Sequence, residues 1–178
     1  MELPGQGLRM LLEIGLGGCE VAISFKIKCN MNIEKYHLKS DDSFSYFEFI
    51  SVGIKGPIRK IIEFQRTSTP GLYNLAFGDK NVETGELDDL AVSNNGDTEK
   101  VLATVVSALY TFFDKNPEAL VYATGSTPAR TRLYRMGISK FYDEIVNDFH
   151  LFGQMEKKLY SFEIGEEYEG FVAQRKLD

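Results

Sequence analysis

Leu120-Val121-Tyr122-Ala123-Thr124-Gly125-Ser126-Thr127-Pro128-Ala129-Arg130-Thr131-Arg132-Leu133-Tyr134-Arg135-Met136-Gly137 is the stretch on which the reading of this chain turns. Its first five residues, Leu120–Thr124, are mostly apolar and too few for a helix, so they predict a short buried strand. Thr127 suits a helix N-cap, and Pro128 suits the first helical position, where a missing N–H costs nothing. Gly137 is placed as the stop of that helix. A strand that ends in Gly-Ser-Thr-Pro and opens a helix gathers backbone N–H groups, two hydroxyls and a positive dipole end at one point. Arg130 lies in the first turn, and Arg132 and Arg135, three apart, share a face. Gly125, Ser126, Thr127, Arg130, Arg132 and Arg135 are therefore the candidate ligand-binding residues, for an anion such as a phosphate. Tyr134, a phenol in a helix full of charge, is the candidate proton donor. The plainer alternative is that Thr127-Pro128 is only a good cap, that the arginines pair with surface carboxylates, and that the Tyr134 ring packs.

Upstream, Asp97 or Thr98 offers an N-cap and Glu99 suits the dipole of a helix running to Lys115, which Asn116-Pro117 ends. Val101, Leu102, Val105, Val106, Leu109, Phe112 and Phe113 recur at helical spacing and predict one broad apolar face. Further upstream the chain reads as strands. Phe44–Val52 is rich in aromatic and β-branched residues, Gly53, Gly56 and Pro57 break it, and Ile58–Gln65 returns as the second arm of a hairpin. Leu72–Phe77 and Leu87–Ser93 read as a second hairpin around the acidic tip Asp79–Asp89. That tip starts like a calcium loop with Asp79, Asn81 and Glu83, yet its sixth position is Thr84 and its twelfth Leu90, so it fails as one. Downstream, Ser139 is placed as the cap of a further helix through Phe149. Lys158–Ile164 and Tyr168–Lys176 read as a closing pair of strands.

The 178 residues, 43% of them hydrophobic and 26% charged, suit one globular domain. A formal charge of −6 argues against nucleic acid or an acidic membrane as partner, since both reward clustered Lys and Arg. Residues 1–30 have a different texture, apolar and glycine-rich, interrupted by Glu13 and Glu20, and regular alternation begins at Met31. Residues 1–30 are accordingly read as an N-terminal extension, non-native or disordered, and 31–178 as a single domain. Both cysteines, Cys19 and Cys29, fall in the extension, so the body has no thiolate metal site, disulfide or cysteine nucleophile. His37 and His150 belong to no metal spacing, and no metal site is expected. Cytoplasmic residence fits this cysteine usage.

The order Leu87–Ser93, Thr98–Lys115, Leu120–Thr124, Pro128–Met136, together with Ala129-Arg130-Thr131-Arg132-Leu133-Tyr134-Arg135-Met136-Gly137-Ile138, resembles the second half of the GNAT acetyltransferase superfamily over about residues 72–149. The resemblance implies a strand and helix that cradle the pyrophosphate of an acyl-coenzyme A, and N-acyltransferase activity. The chain departs from that pattern before the long helix. A glycine-rich turn is replaced by Asn94-Asn95-Gly96-Asp97-Thr98-Glu99, whose carboxylates repel phosphate. The stretch Tyr122–Gly137 also resembles a family of uncharacterised bacterial proteins over nearly all of Met31–Lys176, which implies a bacterial origin and supplies no function.

These readings predict an α+β fold, a mixed and mainly antiparallel sheet with two or three packed helices, GNAT-like in its second half. The expected role is a non-catalytic interaction or regulatory domain acting on a protein partner or a small anionic ligand. The alternative is a GNAT-like domain that binds acyl-coenzyme A or another anion.

Overall fold

The computed structural model describes residues 33–177, so the reading of residues 1–30 as an extension lies outside the described residues. Strands β1 (Lys39–Ser40), β2 (Tyr46–Gly53), β3 (Gly56–Arg66) and β4 (Leu72–Lys80) form an antiparallel meander. The expected hairpin is β2–β3, with Gly56 at φ +85° in its turn, a conformation that glycine adopts without cost. A two-residue strand β5 (Leu87–Asp88) pairs with the end of β4, closing the second hairpin over the acidic tip. The expected strand Leu87–Ser93 is thus cut short. Asp88 Oδ1 accepts the backbone N–H groups of Leu90 and Ala91 at 3.0 and 2.9 Å, and this local turn replaces the ladder.

Helix α1 (Thr98–Lys115) then carries the chain across the sheet to β6 (Leu120–Ala123), which lies parallel to β4. A parallel pair needs such a crossover, and this is the only parallel pair among the described residues. Helix α2 (Pro128–Lys140) and the short α3 (Tyr142–Asp148) follow, then β7 (Phe149–Met155), β8 (Lys158–Ser161) and β9 (Gly170–Arg175). The strand order is β1-β2-β3-β4-β6-β9-β7-β8. The fold is α+β, with a mostly antiparallel open sheet and three helices among the described residues.

Three expectations change here. Gly137 does not stop α2; it lies inside it, where a Cβ would come within 2.9 Å of Leu102 Cδ1, so the glycine permits close packing of α2 on α1. Ser139 is also within α2 and caps nothing, and Phe149 begins a strand instead of ending a helix. The two closing strands do not pair with each other: β8 pairs with β7, while β9 inserts between β6 and β7.

The core sits between α1 and the meander. Phe64 stacks on Phe112 with centroids 4.1 Å apart, and Phe113 meets Phe149 at 5.2 Å. Such ring pairs contribute about 0.5–1.5 kcal/mol each beyond area burial. The face that α1 buries overlaps only in part with the one its apolar spacing predicts. Val101, Phe112 and Phe113 of that face are buried, and Thr104, Ser107 and Thr111 are buried beside them, whereas Leu102, Val105, Val106 and Leu109 are only partly covered. The buried hydroxyls are satisfied within the fold: Thr104 Oγ1 donates to Lys100 O at 2.7 Å and accepts from the backbone N–H of Tyr36 at 2.9 Å. No helix among the described residues is long and apolar enough to cross a membrane.

Candidate functional site

Strand β4 outruns its parallel neighbour. Their last paired residues are Leu75 and Ala123, beyond which β4 continues to Lys80 while the chain after β6 turns away into α2. The sheet therefore forks, and the fork holds a cleft of about 310 Å³. Its walls are β4 at Phe77–Asp79, the loop 91–97, the start of α1 and the first two turns of α2.

Arg130 spans this fork. Its guanidinium donates to the carbonyls of Phe77, at 3.4 Å, and of Ala91. A strand carbonyl that has lost its neighbour needs a donor, and the arginine supplies one. Ser126 is engaged in the same way, its hydroxyl donating to Asp89 O at 2.7 Å. Thr127 is the cap of α2, accepting from the Arg130 N–H at 3.3 Å, with Pro128 first in the helix. Gly125 N–H donates to Thr131 Oγ1 at 3.1 Å, and a Cβ on Gly125 would lie 2.3 Å from Thr131 N. Arg135 turns the other way, toward Glu166 O at 3.1 Å and the Glu167 carboxylate at 3.3 Å. Arg132 is exposed and lines, with Arg135, a separate open groove of about 700 Å³ beside Glu167 and Glu169. The six residues read as one ligand set are thus divided between two sides of α2.

Tyr134 lines the cleft, and its hydroxyl makes no hydrogen bond to the described residues; because no side-chain polar atom sealed from water lacks a partner among them, this hydroxyl is open to solvent. Burial pushes its pKa above the ordinary phenol range, the Arg130 charge opposes that, and Asp89 adds to it. The phenol is therefore a neutral donor at physiological pH.

Opposite Tyr134 stands a polar wall. Lys60, 4% exposed, donates to the Asp79 carboxylate and to Ser93 Oγ at 2.8 Å. The lysine donates to both partners, which makes the group a clamp on loop 91–97 and not a base for Ser93. Asp97 Oδ2 accepts from Ser51 Oγ at 2.6 Å and from the Tyr36 hydroxyl at 2.7 Å. Burial pushes the Asp97 carboxyl up, but these two hydrogen bonds and the Lys60 charge hold it below the usual carboxylate range. Asn95 is buried and fixes the loop to the β2–β3 turn, donating to Gly56 O at 3.0 Å and accepting from Lys55 N–H at 2.8 Å. Its own carbonyl accepts from Ile54 N–H at 3.0 Å. The Asp97 side chain therefore makes no cap bond to α1, although Asp97 is the N-cap residue.

Behind Tyr134 the cleft meets an apolar recess of about 100 Å³ between α1, α2 and the sheet. Phe77, Leu102 and Tyr134 line both spaces. No group of three or more His, Cys, Asp or Glu suited to a metal occurs among the described residues, and both histidines are exposed.

The polar wall was missed in the sequence, although one signal pointed to it. Lys60 and Ser51 stand in phase with Phe47, Phe49, Ile62 and Phe64 on the helix-facing side of the hairpin, where period-two alternation calls for apolar side chains.

These features define an α+β domain with a forked sheet and a cleft walled by buried polar groups. Residues 32–176 match the family of unknown function DUF6934, and the chain belongs to that family. No curated protein and no solved structure matches it.

Proposed function

We propose that this chain is a small-molecule-binding domain that holds its ligand in the cleft between β4 and α2, and that it does so in a non-catalytic, regulatory role. The observation that carries the reading is Tyr134: a neutral phenol at the junction of a polar cleft and an apolar recess, with no protein group on its hydroxyl. The cleft walls supply no histidine or cysteine, and Lys60, Asp79, Ser93 and Asp97 all bond to one another or to the framework. Such a wall positions a ligand without reacting with it. The ligand polar group accepts from Tyr134.

A GNAT-like acyl-coenzyme A or anion-binding domain with N-acyltransferase activity is the second reading. In its favour is the β4, α1, β6, α2 order with its fork. Against pyrophosphate binding stand the loop before α1, tied down through Asn95 and Asp97, and Arg130 and Ser126, already held on carbonyls. The exposed Arg132 is the residue of the original set best placed to meet a protein partner or an anion.

Thermal shift with coenzyme A, nucleotides, inorganic phosphate and small neutral amides separates these readings. A ligand at 100 times its Kd stabilises the fold by about 2.7 kcal/mol. A shift with neutral amides that Tyr134→Phe weakens is the expected result. A shift with coenzyme A or phosphate that Arg132→Ala removes and Tyr134→Phe does not would transfer the function to the second reading. The absence of any shift would overturn both.

A further inference from the structure

We infer that the apolar recess behind Tyr134 takes the hydrocarbon part of an amphipathic ligand whose polar head rests in the cleft, so that the ligand is a small neutral molecule carrying a short alkyl chain. The inference rests on the reading of the cleft as a ligand site.

The residues of α1 that line the recess are Leu102, Val105, Val106 and Leu109, at i, i+3, i+4 and i+7. That spacing is the stripe a helix ordinarily presses into its core. Here all four side chains remain partly uncovered, while Val101, Phe112 and Phe113 on the same helix are buried. Interiors are close-packed, so an apolar stripe left facing open space forfeits the contacts that neighbouring atoms would give it.

Size and lining set the chemistry of the occupant. At about 100 Å³ the recess is smaller than the roughly 150 Å³ aliphatic cavity that admits benzene, so it suits a short chain of about four to six carbons and not a ring. The lining is aliphatic and aromatic, which excludes a charged or strongly polar occupant. Phe77, Leu102 and Tyr134 line both the recess and the cleft, so the two spaces adjoin at these three side chains. A molecule seated in both spaces lays its polar junction against the Tyr134 hydroxyl, a donor suited to a neutral carbonyl oxygen.

The test is a series of unbranched primary amides, acetamide, butanamide and hexanamide, titrated into the full chain. Each methylene buried in the recess raises affinity about fourfold, so hexanamide is expected to bind at least about tenfold more tightly than acetamide. Val106→Phe fills the recess and is expected to erase the difference between the amides; Val106→Leu, a milder change for a case where phenylalanine prevents folding, is expected to reduce it. A series with equal affinities overturns the inference and leaves the cleft reading standing. A steep series untouched by a folded Val106 variant overturns it too, by placing the chain elsewhere. Failure of the cleft reading shows differently, as hexanamide binding that Tyr134→Phe leaves unchanged.

Discussion

Around Phe112 the helix and the sheet close on each other, with aromatic rings stacked at van der Waals distance; around Tyr134, on the same two layers, they stand apart. The difference originates in the strands beneath. Under Phe112 the meander is continuous, and β3 pairs with both neighbours along most of its length. Under Tyr134 the parallel pair β4–β6 ends at Leu75 and Ala123, and the space beyond is bridged by the Arg130 guanidinium instead of by another strand. Where backbone ladders continue, side chains of alternating phase meet the helix. Where the ladder stops, polar side chains must satisfy the exposed carbonyls, and a cleft results.

Substitutions on the two sides should differ accordingly. Phe112→Ala, in the closed region, is expected to cost about 3–5 kcal/mol in chemical denaturation; a loss under about 1 kcal/mol would mean that the closed core is not closed. Gly125→Ala, at the mouth of the fork, places a methyl against the Thr131 backbone nitrogen, a contact that cannot be relieved by rotating a side chain. A loss of about 1–3 kcal/mol is expected. Leu102→Ala, on the recess, is expected to cost less than about 2 kcal/mol, below the usual range for a fully packed leucine, because part of its surface already faces open space. Equal losses for Leu102→Ala and a buried core truncation would remove the contrast between the regions.

Acid adds a further distinction. Asp97 has a folded-state pKa below its unfolded value, so its contribution is present above the ordinary carboxylate range and is lost as pH falls through that range toward the folded pKa. Glu48 behaves alike: burial pushes it up, but Lys80 and the Tyr46 hydroxyl hold it down. Melting temperature should therefore drop below about pH 4, and Asp97→Asn should melt with a shallower acid dependence while costing about 1 kcal/mol at neutral pH. An unchanged acid slope would show that Asp97 is not held as the geometry indicates. The smallest stability effect belongs to Tyr134→Phe, which removes a hydroxyl with no protein partner and is expected to stay within about 0.5 kcal/mol of wild type.

Much of this fold was legible from local pattern. The hairpin arms of β2 and β3, the span of α1, the short strand β6 and the Thr127-Pro128 start of α2 each follow from alternation, periodicity or capping chemistry. Gly137 misled because a glycine needed for close helix packing has the same local signature as a helix stop. Phe149–Met155 escaped because its apolar residues continue the spacing of α3, and only pairing with β9 makes them a strand. The site was legible in part. The stretch Gly125–Arg135 does border the cleft and the groove, but which way each arginine turns depends on carbonyls orphaned by a distant strand, and no local spacing encodes that. Lys60 and Ser51, two polar residues in apolar phase, were the readable trace of the polar wall.

The contrast between closed core and open fork is tested most directly by methyl chemical-shift mapping of the full chain titrated with hexanamide. The account predicts shifts confined to the methyls of Leu102, Val105, Val106 and Leu109, with those of Ile62 and Ala103 in the closed core unmoved. Shifts absent from the four recess residues, or spread equally through Ile62 and Ala103, would contradict it.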